Sequence, residues 1–109
     1  DGQVKIKGFR VELDSISTVL EKVAHCRQAI TLKLDNQNLV SFVTPNRISL
    51  KATNRALMAI LPYYCIPSFI IPMDKFPKTD RGKIDKKTLT VLAVKIQEEA
   101  NRREQEVSA

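Results

Sequence analysis

The stretch best equipped for chemistry is Phe76-Pro77-Lys78-Thr79-Asp80-Arg81-Gly82-Lys83-Ile84-Asp85-Lys86. Pro77 fixes one φ and Gly82 permits a positive one, so the chain between them is predicted to be a tight, exposed loop with Lys83 at its tip. Asp85 is placed to cap a helix beginning at Lys86, its carboxylate accepting from amides two or three residues on. Two uses of such a loop compete. A charge-rich surface loop is usually a solvated turn. The alternative is an electrophilic finger that carries the Lys83 ammonium into a site built elsewhere, where it neutralises developing negative charge. Residue chemistry alone favours the solvated turn.

Other constellations are weaker. A phosphate-cradling P-loop needs Gly five residues before the Gly-Lys pair and Ser or Thr after it. Those positions are Pro77 and Ile84. His25 beside Cys26 lacks a second pair to complete a metal site, and Cys65 stands far along the chain. Both cysteines therefore read as small core residues and no metal is expected. Nothing near His25 offers a nucleophile for it to serve as a base.

Two longer motifs change the balance. Leu61-Pro62-Tyr63-Tyr64-Cys65-Ile66-Pro67-Ser68-Phe69, followed by Phe76-Pro77-Lys78-Thr79 and Gly82-Lys83-Ile84-Asp85-Lys86, resembles the last core motif of the adenylation domains of nonribosomal peptide synthetases. The opening Asp1-Gly2-Gln3-Val4-Lys5-Ile6-Lys7-Gly8-Phe9-Arg10-Val11-Glu12-Leu13 resembles the hinge motif of the same family. Both stand in the family's order at the ends of one small subdomain, over roughly residues 1–90. The family's usual Gly-Glu-Ile-Glu is here Asp14-Ser15-Ile16-Ser17, at a predicted helix start where Asp and Ser are good caps.

The resemblance implies half of an acid-activating ligase. Such domains join an amino or aryl acid to the α-phosphate of ATP, with magnesium, and then pass the acyl group to the phosphopantetheine thiol of a carrier protein. Lys83 matches the family's catalytic lysine, with Gly82 beside it. Lys5 is a weaker candidate for contacting the nucleotide, its reading as an exposed strand lysine being about equally good. Asp1 falls at the hinge about which the subdomain turns between the two steps. Gly8 and Arg10 match the loop turned into the active site for thioester formation. The large N-terminal subdomain that holds ATP and the acid pocket would precede Asp1. Its Ser/Thr/Gly-rich phosphate loop has no counterpart in this sequence, so the fragment alone is expected to be inactive. Residues 91–109 read as a charged helix or linker toward a carrier domain.

The elements that must position these residues follow from periodicity. Val4 and Ile6, then Phe9, Val11 and Leu13, alternate about Lys7-Gly8 and predict a small hairpin or a bulged strand, with Gly8 at the bend. Ile16, Val19, Leu20 and Val23 predict an amphipathic helix over about Ser15–Ala24. Ala29–Leu34 and Leu39–Val43, separated by Asp35-Asn36-Gln37-Asn38, predict an antiparallel hairpin. A second helix is expected between Ile48 and Leu61, and a strand over Ser68–Ile71 between Pro67 and Pro72. Tyr63 and Tyr64 are expected to pack ring faces and keep their hydroxyls wet. A last helix after Asp85 carries Leu89, Leu92 and Ile96 on one stripe. The class is α+β: a small antiparallel sheet packed with helices, an N-terminal hairpin and a C-terminal helix.

The chain has 109 residues and a formal net charge of +6, which calls for an anionic partner. Half of that excess lies in residues 74–87, beside the loop. A basic interaction module, or an RNA-binding one with the strand-helix-strand-strand-helix-strand plan, is the alternative function. Against RNA, Lys7-Gly8-Phe9-Arg10-Val11 falls on the first strand rather than the third. The strand Leu39-Val40-Ser41-Phe42-Val43 carries one aromatic and no cation. Nucleic acid is therefore not an expected partner. With no signal peptide and no apolar run of about 18 residues, the expectation is a cytoplasmic chain with reduced thiols and no membrane partner.

Overall fold

The computed structural model describes residues 2–45 and 47–108, with side chains described through Arg103. Contacts divide it into two compact units, Asp1–Phe76 and Pro77–Ala109.

In the first unit, strands β1 (Gln3–Ile6) and β2 (Phe9–Glu12) pair antiparallel, with Ile6 opposite Phe9. That register leaves Lys7 and Gly8 as a two-residue turn, and their φ values of 53° and 85° give it the primed form that matches strand twist. Helix α1 (Leu13–Ala24) follows directly. It starts two residues before the predicted Ser15, so Asp14 and Ser15 lie in its first turn and not at a cap. Glu12 occupies the cap position without a side-chain cap bond, and the Ser15 hydroxyl donates to its carboxylate at 3.2 Å. The helix ends on His25, which takes a left-handed φ of 53°.

Strands β3 (Gln28–Lys33) and β4 (Leu39–Thr44) form the expected antiparallel hairpin. Its turn is held by the Asp35 carboxylate, which accepts from the Gln37 amide and the Asn38 side chain. Helix α2 (Leu50–Ile60) is capped by Ser49, whose hydroxyl accepts from the Ala52 amide at 3.2 Å. A 3-10 turn, Tyr63–Cys65, leads to β5 (Phe69–Pro72).

The α+β class and both predicted hairpins hold, and the pairing of β5 differs from an all-antiparallel sheet. β5 lies parallel to β4, with Val40 opposite Phe69, so the three-stranded sheet β3-β4-β5 is mixed. Parallel pairing demands a long crossover, and α2 with the 3-10 turn supplies it. Pro72 is tolerated because β5 is an edge strand. β4 is central and buried at every residue, which is why its sequence reads as a nearly continuous apolar run. Because β1 pairs with β2 and not with β3, the described strands form two sheets rather than the four-stranded platform of an RNA-recognition module.

Two apolar clusters hold this unit. Leu20, Ala29, Val43, Leu57 and Ile70 join α1 and α2 to the three-stranded sheet. Ile6, Val11, Ile16 and Leu39 tie the N-terminal hairpin down, with Tyr64 and Cys65 packed against them. Between α1 and the sheet runs a line of hydroxyls: Ser17 Oγ lies 3.0 Å from Thr31 Oγ1, itself 2.8 Å from Ser41 Oγ. Among the described residues, no buried side-chain nitrogen or oxygen lacks a partner.

The second unit is the 77–85 loop and helix α3 (Lys86–Ser108). The helix runs unbroken past residue 90, with Leu89 and Ala93 buried and Val91 and Val94 exposed. No described helix is long and apolar enough to cross a membrane.

Candidate functional site

The 77–85 loop is a closed turn built from its own backbone. Lys78 and Ile84 form an antiparallel bridge, the Thr79 amide donates to the Lys83 carbonyl at 2.7 Å, and the Gly82 amide donates to the Thr79 carbonyl at 2.9 Å. The Asp85 amide closes the base by donating to the Pro77 carbonyl at 2.8 Å. Gly82 takes φ 81°, and a Cβ there would meet nothing within 4 Å, so its requirement is conformational and not one of space. These bonds leave the Lys83 side chain exposed on a backbone with little freedom.

Asp85 performs the predicted cap. One carboxylate oxygen accepts from the Thr88 amide at 3.2 Å and the other from the Thr88 hydroxyl at 2.8 Å. The Thr88 hydroxyl, the Thr88 amide and nearby Lys87 hold the Asp85 carboxyl below its ordinary value of 3.8. The carboxylate is thus the form that stabilises the helix start. Its contribution is fully present above the unfolded-state value and is lost as pH falls through the lower folded one. Thr88→Val is expected to raise the Asp85 value, as read by carboxyl-carbon NMR titration; an unchanged titration would show the hydroxyl bond to be idle.

No acidic residue occupies the first turn of α3, which opens instead with Lys86 and Lys87. Lysines at the positive end of a helix dipole oppose helix formation, and Asp85 offsets this only in part. The arrangement gathers positive potential beside Lys83, which suits an anionic ligand better than it suits the helix.

Lys5, Gly8 and Arg10 all lie on the N-terminal hairpin. Gly8 is at the turn, with open space around the missing Cβ. Lys5 pairs with Arg10 across the strands, and with Gln3 and Val4 they line an open surface pocket of about 330 Å³. Gln3 organises this face: its carbonyl oxygen accepts from Arg10 Nε at 2.8 Å and also from Arg10 Nη2, while its amide donates to Glu12 at 3.2 Å. The two cations suit an anion, and the open pocket does not enclose a nucleotide. The predicted hinge residue Asp1 lies outside the described residues. Lys83 and Gly82 belong to the second compact unit, Lys5, Gly8 and Arg10 to the first.

Sequence reasoning expected Tyr63 and Tyr64 to pack ring faces and missed Phe9, which joins them in an aromatic cluster at the hairpin tip. Phe9 stacks on Tyr64 with ring centroids 4.0 Å apart and planes 8° from parallel. Tyr63 meets both rings edge-on, at 6.2 and 5.5 Å, and the Lys7 ammonium sits 5.2 Å from the centre of its ring. The available signal was the aromatic directly after Gly8 together with the tyrosine pair. Cys26 and Cys65 are free and half-buried. Burial pushes both thiols up, aided at Cys26 by the charge of Glu21, so both are poor nucleophiles at neutral pH.

No known protein-family profile matches the chain. Individual relatives do. It is 46% identical over 99 residues to adenylate-forming reductase 03009 of Coprinopsis cinerea, covering 91% of this chain and 10% of that protein. It is 33% identical over 89 residues to nonribosomal peptide synthetase 5 of Aspergillus fumigatus, covering 82% of this chain and 4% of that one. Among solved structures, it superposes on a four-domain holo nonribosomal peptide synthetase bound to AMP and glycine with a TM-score of 0.68 and 38% identity, over 78% of this chain and 7% of that one. The chain thus spans a tenth or less of the length of these relatives. On these relatives the chain belongs to the adenylate-forming enzymes and corresponds to the small C-terminal subdomain of an adenylation domain, of the kind shared by nonribosomal peptide synthetases and adenylate-forming reductases.

Proposed function

We propose that this subdomain supplies the mobile cation of an ATP-dependent ligase that activates an amino or aryl acid. The observation that carries the reading is the 38% identity to a synthetase holding AMP and glycine, joined to the exposed position of Lys83 on a hydrogen-bonded loop. In the first step the acid's carboxylate oxygen attacks the α-phosphorus of ATP and pyrophosphate leaves. The Lys83 ammonium, with Gly82 shaping its approach, offsets the charge that gathers between carboxylate and phosphate. Lys5 contacts the nucleotide. In the second step the phosphopantetheine thiol of a carrier domain attacks the acyl carbonyl and AMP leaves, with the Gly8 turn and Arg10 brought to the site. Rotation about Asp1 exchanges the two arrangements. Residues 91–109 lead toward the carrier, and a reducing cytoplasm suits the two free thiols. ATP and magnesium are held mainly by the large N-terminal subdomain.

The chain alone, mixed with ATP, magnesium and a panel of amino and aryl acids, is expected to release no pyrophosphate above background. Fused behind the large subdomain of its own enzyme it should restore release. Turnover by the isolated chain would overturn the reading.

The 46% identity to an adenylate-forming reductase favours a second reading of the larger enzyme, in which the activated acid is reduced rather than joined to another building block. Both readings share the adenylation step. Product analysis of the full-length enzyme, peptide against aldehyde or alcohol, separates them.

A further inference from the structure

We infer that Tyr64 and Phe9 are positioning residues that set the Lys7-Gly8 turn for the thioester-forming step, an inference that rests on the role proposed above for the Gly8 loop. A two-stranded hairpin is marginally stable by itself, and although the primed turn suits the strand twist, Lys7 bears the cost of a left-handed φ, so outside contacts help to hold the turn in one orientation. The body of the hairpin is held by Ile6 and Val11, which are buried in the core. The turn lies beyond them, and three contacts meet there. The Lys7 amide donates to the Asn36 carbonyl in the β3–β4 turn at 2.8 Å. The Phe9 ring lies flat on Tyr64, and the Lys7 ammonium lies over Tyr63. Tyr64 has a firm base, because the 3-10 turn that carries it is closed by the Cys65 and Ile66 amides and Tyr64 packs on the core beneath the hairpin.

Burial alone does not explain this cluster. Phe9 is 42% exposed and Tyr63 63% exposed, so the rings give up much of the apolar benefit of a core position and keep a defined mutual geometry. Gly8, directly between Lys7 and Phe9, has open space on its Cα. The consequence is a bare backbone turn whose height above the core is set by a flat aromatic stack. That is the arrangement a loop needs if its backbone must approach a ligand reproducibly.

The test uses the full-length enzyme and two assays, pyrophosphate exchange for adenylation and loading of the carrier from preformed acyl-adenylate. Phe9→Leu and Tyr64→Leu are expected to lower the kcat of loading roughly two- to twelvefold, the range that loss of one aromatic pair converts to, with exchange unchanged. Tyr64→Phe should load like the parent, since the ring and not the hydroxyl makes the stack. The double leucine variant should be little worse than either single one, because both remove the same contact. Should Tyr64→Leu fold poorly, the half-exposed Phe9 still gives the result. Loading by Phe9→Leu at the parental rate, or an equal fall in both half-reactions, would overturn the inference. Gly8→Val serves as the reference. If Gly8→Val loads slowly and Phe9→Leu does not, only the positioning role falls; if Gly8→Val loads normally, the loop reading itself fails and this one with it.

Discussion

Lys83→Ala in the full-length enzyme is expected to slow acyl-adenylate formation by on the order of 10²–10³, the usual cost of removing one preorganised charge-stabilising donor from a water-poor site. Transfer of the acyl group from a supplied adenylate should largely survive. The loop backbone should be untouched, because its bonds run between main-chain groups of Thr79, Gly82 and Lys83 and do not involve the lysine side chain. The loss therefore reports the ammonium and not the fold. Lys83→Arg keeps the charge and changes its shape, and a planar guanidinium does not reproduce a point charge between two oxygens, so it should rescue incompletely. Gly8→Val should show the opposite partition, with normal pyrophosphate release and slow loading. At φ 85° a β-branched residue is also strained, so the melting temperature is recorded beside the two assays. If Lys83→Ala slows both half-reactions equally, or neither, the loop returns to being a solvated turn.

Leu20→Ala is expected to destabilise the chain by about 2–5 kcal/mol. Leu20 is fully buried where α1 meets the sheet and α2, among Ala29, Val43, Leu57 and Ile70. Truncation there loses the transfer free energy of the removed methyl groups and opens a cavity between elements that cannot all close on it. Met58→Ala on the exposed face of α2, 69% accessible, is the matched control and should stay within about 0.5 kcal/mol. Urea unfolding of both variants reads the difference directly. A Leu20→Ala midpoint equal to the parent's would mean that this face of α1 is not core.

Much of the local structure was legible because its causes lie within a few residues. The stripe Ile16, Val19, Leu20 and Val23 marked α1, although the cap-forming types of Asp14 and Ser15 pointed to a start about two residues late, the helix beginning at Leu13 behind a Glu12 that makes no side-chain cap bond. Asp35 to Asn38 marked the β3–β4 turn, and Asp85 marked the start of α3. The lysine-tipped loop was legible for the same reason: Pro77, Gly82 and Asp85 dictate their own backbone, and every bond that closes the loop lies within residues 77–85.

The direction of β5 was not legible, since Phe69-Ile70-Ile71 has the same composition whichever way it runs. Its parallel pairing depends on the path of α2 and the 3-10 turn over the sheet. Nor does periodicity say that β1 and β2 form a sheet of their own, the fact that separates this fold from an RNA-recognition plan. The Phe9 and Tyr64 stack joins residues at opposite ends of the first unit, and the rings meet only because Ile6 and Val11 pull the hairpin onto the core that carries the 3-10 turn. By itself the sequence determined the hairpin turns, the α-helices, the Asp85 cap and the closed loop that carries Lys83, because dihedral preference and local hydrogen bonding act over a turn or two of chain. Strand direction, sheet membership and the support beneath Gly8 were decided by tertiary structure, because they depend on which distant apolar surfaces meet once the loops between them have closed.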